Sequence, residues 1–446
     1  MSATAPQALR AVAGMRRDAV RRHPLSLVLL GLAVATLFGV SGGMLWLVGI
    51  NYDGLTGSAA AKVHPSTYLL FLDVGLVLLR SGDPIGFTRR IAERRPGAVV
   101  LFVAASISLA DLALRHGPGL AGIVDTFMAA ALVVILFMDV DERGIAIMTM
   151  LLHGFMAANA VLGLYEFASG HLVFPYRFDG EVFPLDKRSS ALQGHPLANA
   201  AITCFYVLAL IATDGLSLPR LLRLPMLALQ FAALVTFGGR IGLVTSLALG
   251  AFQGLGRVTA AMRHRRIPLL GTAAILLLAM VLLLAVGSLY EGGFFTALLN
   301  RFADDGGSAY ARVQMFDMFD GLPLRDLVVG PDPTLIDSTR RILGLEWGIE
   351  NPFIKTLLYQ GLVITLMMTA AVVAYLYDVA RAAGRGTLVP MLGFVILAST
   401  SESIGGKTTM LTKFAIILIC LYGPVRTKRR AALRRPTPSR DPVPGP

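Results

Sequence analysis

Apolar residues in this chain fall in long blocks separated by short polar stretches, without the strict alternation of strands. Blocks suited to helices run over 25–50, 65–79, 97–114, 119–138, 144–165, 195–213, 221–237, 241–256, 267–290, 351–377, 388–400 and 408–422. Several reach the ~20 residues that carry a helix across a bilayer, and none has the roughly ten-residue alternation of a membrane barrel. The pattern predicts an all-α, polytopic integral membrane protein of about 12 transmembrane helices. The first block follows Arg10, Arg16, Arg17, Arg21 and Arg22 and is too long for the apolar core of a cleaved signal, so it reads as the first span.

Composition agrees. The 446 residues are 55% apolar and 15% charged, with a mean hydropathy of +0.67, whereas soluble domains carry about 25% charged residues. Net charge is +12, from 40 Lys and Arg against 28 Asp and Glu. In a soluble protein that excess would point to nucleic acid. Placed on alternating helices it has another explanation: Lys and Arg concentrate at the N-terminus, at 80–96, at 257–268 and after Gly423, whereas the opposite segments are net acidic. This positive-inside pattern predicts a multi-pass chain with both termini in the cytoplasm and no nucleic-acid partner. The expected divisions are a basic N-terminus (1–24), helices one to nine (25–290) with an outer loop at 166–194, a large outer loop (291–350), helices ten to twelve (351–422), and a basic, Pro-rich, disordered tail (423–446). Cys204 and Cys420 lie in apolar runs and read as small buried hydrophobes. No Cys/His metal spacing and no nucleotide-binding P-loop motif occurs.

Long loops in a compact chain carry function disproportionately, and four polar clusters sit at the outer ends of the predicted helices. Lys187 and Arg188 precede Gly194-His195-Pro196, where Pro suits the first turn of helix six; His195 and Asn199, four apart, share a face. Gly238-Gly239-Arg240 makes a tight turn that leaves an arginine near the bilayer edge, where it is paired, snorkelling or functional. The large loop holds Tyr310 and Arg312 in a helix-like piece from Tyr310 to Gly321, then Pro323 to Pro331. Last, Glu350-Asn351-Pro352 reads as the capped start of helix ten, followed by Lys355 and Gln360-Gly361-Leu362. Taken singly, each has a bland reading: capped helix starts, interfacial basic anchors, an acid near a helix dipole.

The order of these motifs resembles the O-antigen ligase and Wzy-type polysaccharide polymerase superfamily, and within it the exopolysaccharide polymerases. The resemblance rests on Gly239-Arg240-Ile241-Gly242, Arg312, Pro323 to Pro331 and Asn351 to Leu362, and covers about 195–375. It departs from the ligase pattern at Glu350, which stands where that pattern has His, and at Arg325-Asp326, where the first small residue of the Pro-Leu turn is expected. The resemblance implies a GT-C-like fold with a periplasmic loop between helices nine and ten. It implies a glycosyltransferase, inverting and without metal or other cofactor, that joins polyprenyl-diphosphate-linked oligosaccharides, with flippase and export machinery as partners. It casts Arg240 and Arg312 as clamps on the leaving diphosphate and Glu350 as general base. Lys187, Arg188, His195, Asn199, Tyr310, Asn351 and Lys355 are then substrate-binding candidates. Two alternatives stay open. A ligase would use the same donor with a different acceptor. A transporter would depend on Asp73, Asp111 or Asp125, which lie in apolar runs; Asp111 and Arg115, four apart, are placed to pair. Asp139-Val140-Asp141 reads as a solvated helix end and Asp304-Asp305 as a turn.

Overall fold

The computed structural model describes residues 23–54, 57–178, 181–182, 188–263, 280, 286–303, 308–345, 349, 351–384, 386–400 and 404–433. These are all-α apart from one small hairpin, β1 (Arg177–Phe178) against β2 (Glu181–Val182). In chain order the helices are α1 (Pro24–Gly39), α2 (Gly42–Leu47), α3 (Pro65–Arg80), α4 (Pro84–Arg94), α5 (Pro96–Leu114), α6 (Leu120–Asp139), α7 (Glu142–Ser169), α8 (Pro196–Ala212), α9 (Arg220–Phe237) and α10 (Arg240–Arg263). Then follow α11 (Thr296–Ala303), α12 (Ser308–Asp317), α13 (Leu324–Val329), α14 (Pro333–Ile342), α15 (Pro352–Ala383), α16 (Leu388–Thr400) and α17 (Met410–Leu433). Five of these, α5, α6, α7, α9 and α15, are long and apolar enough to cross a membrane. The predicted span at 267–290 falls almost wholly outside the described residues.

Local chemistry sets most helix starts. Pro24, Pro65, Pro84, Pro96, Pro196, Pro333 and Pro352 each open a helix, where a residue without an N–H gives up nothing. Side chains cap several of them: His23, His64, Asp83, His195, Asp332 and Asn351 each accept a backbone N–H of the first turn.

The structure differs from the sequence pattern in several places. The apolar run at 25–50 is two helices, because Ser41 caps α2 by accepting from the Met44 N–H, and the Val40 carbonyl leaves the first helix to meet His64 Nε2 at 3.1 Å. The basic segment at 80–96 contains a helix, α4, with Phe87 and Ile91 buried and Arg89 and Arg94 exposed. Helix α6 contains a π-turn at Val124–Met128. Finally, α17 continues to Leu433, past the predicted end at 422. Elsewhere α7 reaches Ser169, shortening the expected outer loop, and buried Glu166 ties that loop down by accepting N–H groups from Val173, Ser190 and Ala191 at 2.8–2.9 Å.

The helices form one bundle with two chemically distinct ends. One, the arginine end, carries Arg80, Arg89, Arg90, Arg94 and Arg95; the other carries the long loops. The core lies between, drawn from α1, α6, α7, α8, α15 and α17, with Phe205, Phe394 and Phe414 in mutual ring contact. Helices α5 and α15 pack closely and are tied at the arginine end, where Arg95 pairs with Asp378 at 3.5 Å and the Asp378 carboxylate also accepts the Ala98 N–H at 3.4 Å. Gly97 makes that approach possible. A Cβ there would lie 2.7 Å from the Ala374 carbonyl carbon and 2.8 Å from Asp378 Cβ. Gly97→Val should therefore lower stability by about 2 kcal/mol or more. Gly75→Ala, whose Cβ meets nothing within 4 Å, should be neutral or slightly stabilising. Thermal unfolding of the two purified variants, read side by side, checks the contrast.

Candidate functional site at the loop end

Helix α15 is interrupted at Gly361, whose φ of 79° and ψ of 175° are outside the helical region. A side chain is not tolerated there for a second reason: its Cβ would lie 2.6 Å from the Val329 carbonyl carbon and 2.7 Å from the Val328 oxygen. The end of α13 thus seats against the break. Arg115, at the end of α5, fastens it. Its guanidinium donates to the Pro331 carbonyl and, at 3.2 Å, to the Tyr359 carbonyl, and lies 3.8 Å from Asp111. Beside it Gln360 Oε1 accepts from the Ser108 hydroxyl at 2.8 Å, and its Nε2 donates to the Ser108 carbonyl at 2.9 Å. Two segments singled out in the sequence, Pro323–Pro331 and Asn351–Leu362, therefore meet in space, joined by an arginine whose pairing with Asp111 was its only expected role.

Helix α12 joins this unit. Its Met315 is buried in one cluster with Met318, Ile336, Leu345, Ile349 and Leu358, a small apolar core that seats the large loop on the outer turns of α15. The backbone of Arg312 is in α12, but its side chain lies outside the described residues, as do Glu350 and Lys187. Tyr310 is 67% exposed. Asn351 caps α15, accepting from the Phe353 and Ile354 N–H groups at 2.9 and 3.2 Å, so its side chain holds the helix start. Lys355 is half-buried, within the electrostatic reach of Arg340 and Asp337, and Asp337 accepts from the Tyr359 hydroxyl at 2.5 Å. An apolar cavity of about 150 Å³ opens under the start of α15, lined by Pro352, Phe353, Thr356, Thr365, Met368 and Ile404.

A second corner forms where α8 and α10 begin. Gly239 and Gly242 let α10 approach Ala200 of α8; a Cβ on Gly242 would sit 3.2 Å from the Ala200 carbonyl oxygen. The His195 helix start and half-buried Arg240 are thereby brought side by side, with Arg188, also half-buried, at the preceding bend. His195 accepts from the Ala198 N–H at 3.4 Å and meets the Tyr176 ring edge-on at 4.5 Å. Asn199 differs from its expected role. It is fully buried, and its Nδ2 donates to the Ser190 and His195 carbonyls. It shares a helix face with His195, as the spacing predicts, but that face turns toward the protein. Helix α16 packs against α8, α10 and α15.

Sequence reasoning missed a third cluster. Lys407 donates to the Tyr52 carbonyl and lies 3.2 Å from the Tyr52 ring centroid, with Asp53 and Asp125 as its countercharges. Lys413 is buried at the start of α17 and donates to Gln193 Oε1, next to Gly194. Asp125, on the π-turn of α6, accepts from the Tyr52 hydroxyl (2.9 Å), the Thr67 hydroxyl (2.7 Å) and the His64 N–H (3.0 Å). The signal was available: two lysines at the edge of an apolar block are costly there unless employed. Burial pushes the Lys407 ammonium down to about 8, against the pull of Asp53 and Asp125. It pushes the His64 imidazole down to about 3, with Lys413 and Lys407 adding to the effect and the Val40 hydrogen bond opposing it.

The other intramembrane acids are engaged as well. Asp73 accepts from Ser26 at 2.5 Å, and Asp111 faces Arg115. Asp139 pairs with Arg94 at 3.2 Å and Asp141 caps α7, the helix-end roles expected of them. Asp304 and Asp305 lie outside the described residues. Among the described residues no three His, Cys, Asp or Glu side chains come together as metal ligands. No protein-family description, no curated protein and no solved structure matches the chain.

Two outcomes follow from this geometry. Arg115→Ala leaves the freed Tyr359 and Pro331 carbonyls without their donor and should release the large loop, at a cost of about 2–3 kcal/mol. Limited proteolysis within 324–345 should accelerate at least tenfold over the parent, and unchanged cleavage would refute the clamp. His64 gives a pH dependence. Its folded-state value is depressed, so between about pH 6.5 and 3 the unfolded chain takes up a proton that the folded chain refuses. Stability should fall as pH drops through that window, and the fall should be shallower in His64→Gln, measured by thermal melts at matched ionic strength.

Proposed function

We propose that the chain is a membrane glycosyltransferase, an exopolysaccharide- or O-antigen-type polymerase of about twelve spans. It would join polyprenyl-diphosphate-linked repeat units at the periplasmic face of a bacterial inner membrane, with both termini cytoplasmic. The observation that carries this reading is the docking of Val328–Pro331 into the break at Gly361. It makes the last two motifs of the family resemblance, Pro323–Pro331 and Asn351–Leu362, one physical unit at the loop end, with Arg312's helix seated on it.

The chemistry this arrangement suits is displacement at a glycosyl carbon. The acceptor hydroxyl forms the new C–O bond as Glu350 takes its proton. The bond to the diphosphate breaks, and the diphosphate leaves with the electron pair. Direct displacement inverts the anomeric centre. Guanidinium groups form paired bonds to phosphate oxygens, so Arg240 and Arg312 are assigned to the developing negative charge, worth several kcal/mol to the barrier. The apolar cavity beneath Phe353 and Thr356 offers the carrier's hydrocarbon a place beside the α15 start. No metal is needed in this scheme. A transporter reading has less support, since Asp73, Asp111 and Asp125 are each held by protein partners.

Deletion of the gene should leave single lipid-linked repeat units in place of polymer, as sized on gels of extracted glycolipids. Full-length polymer stranded on the carrier would instead identify a ligase. Restoring the chain as Arg240→Ala, Arg312→Ala or Glu350→Gln should lower polymer by about 100-fold at unchanged membrane abundance. Loss of polymer in Asp73→Asn, with both arginine variants active, would favour transport. Activity abolished by EDTA and restored by magnesium would overturn the metal-free scheme.

A further inference from the structure

A separate cavity lies at the arginine end, away from the loop-end clusters. It encloses about 420 Å³ between the start of α1, the end of α3, helix α4 and the end of α6. Its walls are of two kinds. Val77, Phe87 and Leu136 contribute apolar surface, whereas His23, Arg80 and Arg90 contribute basic groups. The single acid on its lining, Asp139, is already paired with Arg94. Arg90 lies over the Phe87 ring at 5.8 Å and makes no ion pair among the described residues, and neither does Arg80.

Helix α4 explains why such a pocket belongs to a membrane surface. It joins α3 and α5 through very short connections at the arginine end of the bundle. Phe87 and Ile91 face inward, Arg89 and Arg94 are exposed, and Arg90 lines the cavity. A basic amphipathic helix in that position lies along the headgroup layer. A pocket between helices that pairs unneutralised arginines with apolar walls matches a ligand with a phosphate at one end and hydrocarbon at the other.

We propose that this cavity holds an acidic phospholipid of the surrounding membrane, its phosphate at Arg80 and Arg90 and its upper chain against Val77, Phe87 and Leu136. The site is independent of the glycosyl-transfer reading. It would fasten the α3–α4–α5 connection to the bilayer and neutralise two arginines that make no ion pair among the described residues.

Full-length protein in phosphatidylcholine nanodiscs, titrated with phosphatidylglycerol and read by native mass spectrometry, tests it. Phosphatidylglycerol should be retained in preference to phosphatidylcholine, and the Arg80→Ala/Arg90→Ala double variant should weaken retention about tenfold. Arg89→Ala removes the same charge from an exposed position paired with Glu93 at 2.9 Å and should change nothing. Val77→Phe keeps every charge and fills the apolar part, so it should also lose the lipid; this variant decides the matter if the double variant does not fold. Equal retention of the two lipids, an Arg89→Ala loss as large as that of the double variant, or unchanged binding in Val77→Phe would overturn the proposal. Displacement by equimolar polyprenyl phosphate would assign the pocket to the carrier lipid instead, and displacement by millimolar inorganic phosphate would reduce it to a headgroup site. Either result would also overturn it.

Discussion

A helix that breaks inside an apolar layer leaves backbone carbonyls with no water to bond, and this constraint organises the loop end of the protein. Helix α15 runs for 32 residues, roughly 48 Å at 1.5 Å per residue, well beyond a hydrocarbon core of about 30 Å. The break at Gly361 divides it. A non-helical backbone at that depth is tolerated only where protein satisfies it. Here α5 supplies the partners: Arg115 takes the Tyr359 carbonyl, and Ser108 engages both ends of the Gln360 amide. Asp111 balances the guanidinium charge. Remove this polar strip and neither the break nor the loop segment resting on it has a reason to stay.

The consequence reaches across the large loop. Because Arg115 also takes the Pro331 carbonyl, satisfying the helix break and docking the loop are one event. The apolar cluster of Met315, Ile336 and Leu358 then adds burial to what the arginine positions. At the opposite end the same helix pair is closed by a different device, the Arg95–Asp378 ion pair over Gly97. Helices α5 and α15 are thus fixed at both ends by arginines of α5 and its N-terminal flank. That geometry holds the outer turns of α15, and the Asn351 cap with them, at a set height above the bundle.

Much of this was legible from short-range pattern, and the remainder depends on distance along the chain. Pro352 after Asn351 announces a capped helix start because capping is a three-residue affair. Asp111 and Arg115 announce a pair because four residues make one helical turn. The second role of Arg115 joins it to residues 216 and 244 positions away, and no local rule reports that. Gly361 read as part of a motif; that it is a break is visible only through the Val328–Gly330 backbone against it. Asn199 was misjudged because periodicity gives which residues share a face but not which way the face turns. The split of the first apolar block at Val40 and Ser41 was hidden for a related reason: it depends on His64, 24 residues on.

The two sides of the loop end differ in how they are built, and the difference bears on which side can yield to a substrate. On one side the π-turn of α6 widens the helix so that Asp125 reaches Tyr52, His64 and Thr67. On the same turn Thr126 donates to the Gly406 carbonyl at 2.9 Å and accepts the Thr408 N–H at 3.1 Å. Two connecting loops and the first turn of α3 are therefore sealed to one helix by these five hydrogen bonds. Lys407 and Lys413 bring buried positive charge to this wall, and a neutral His64 limits how much positive charge accumulates there. On the other side, among the described residues, the large loop is held by the Arg115 guanidinium, the Tyr359–Asp337 hydrogen bond and a small apolar cluster. Opening it exposes few satisfied polar groups, whereas opening the Asp125 wall strands several at once, each at a cost of about 1–3 kcal/mol. If the chain performs the proposed glycosyl transfer, a bulky lipid-linked sugar would displace the large loop, with Arg115 as its pivot, while the lysine-bearing wall stays in place.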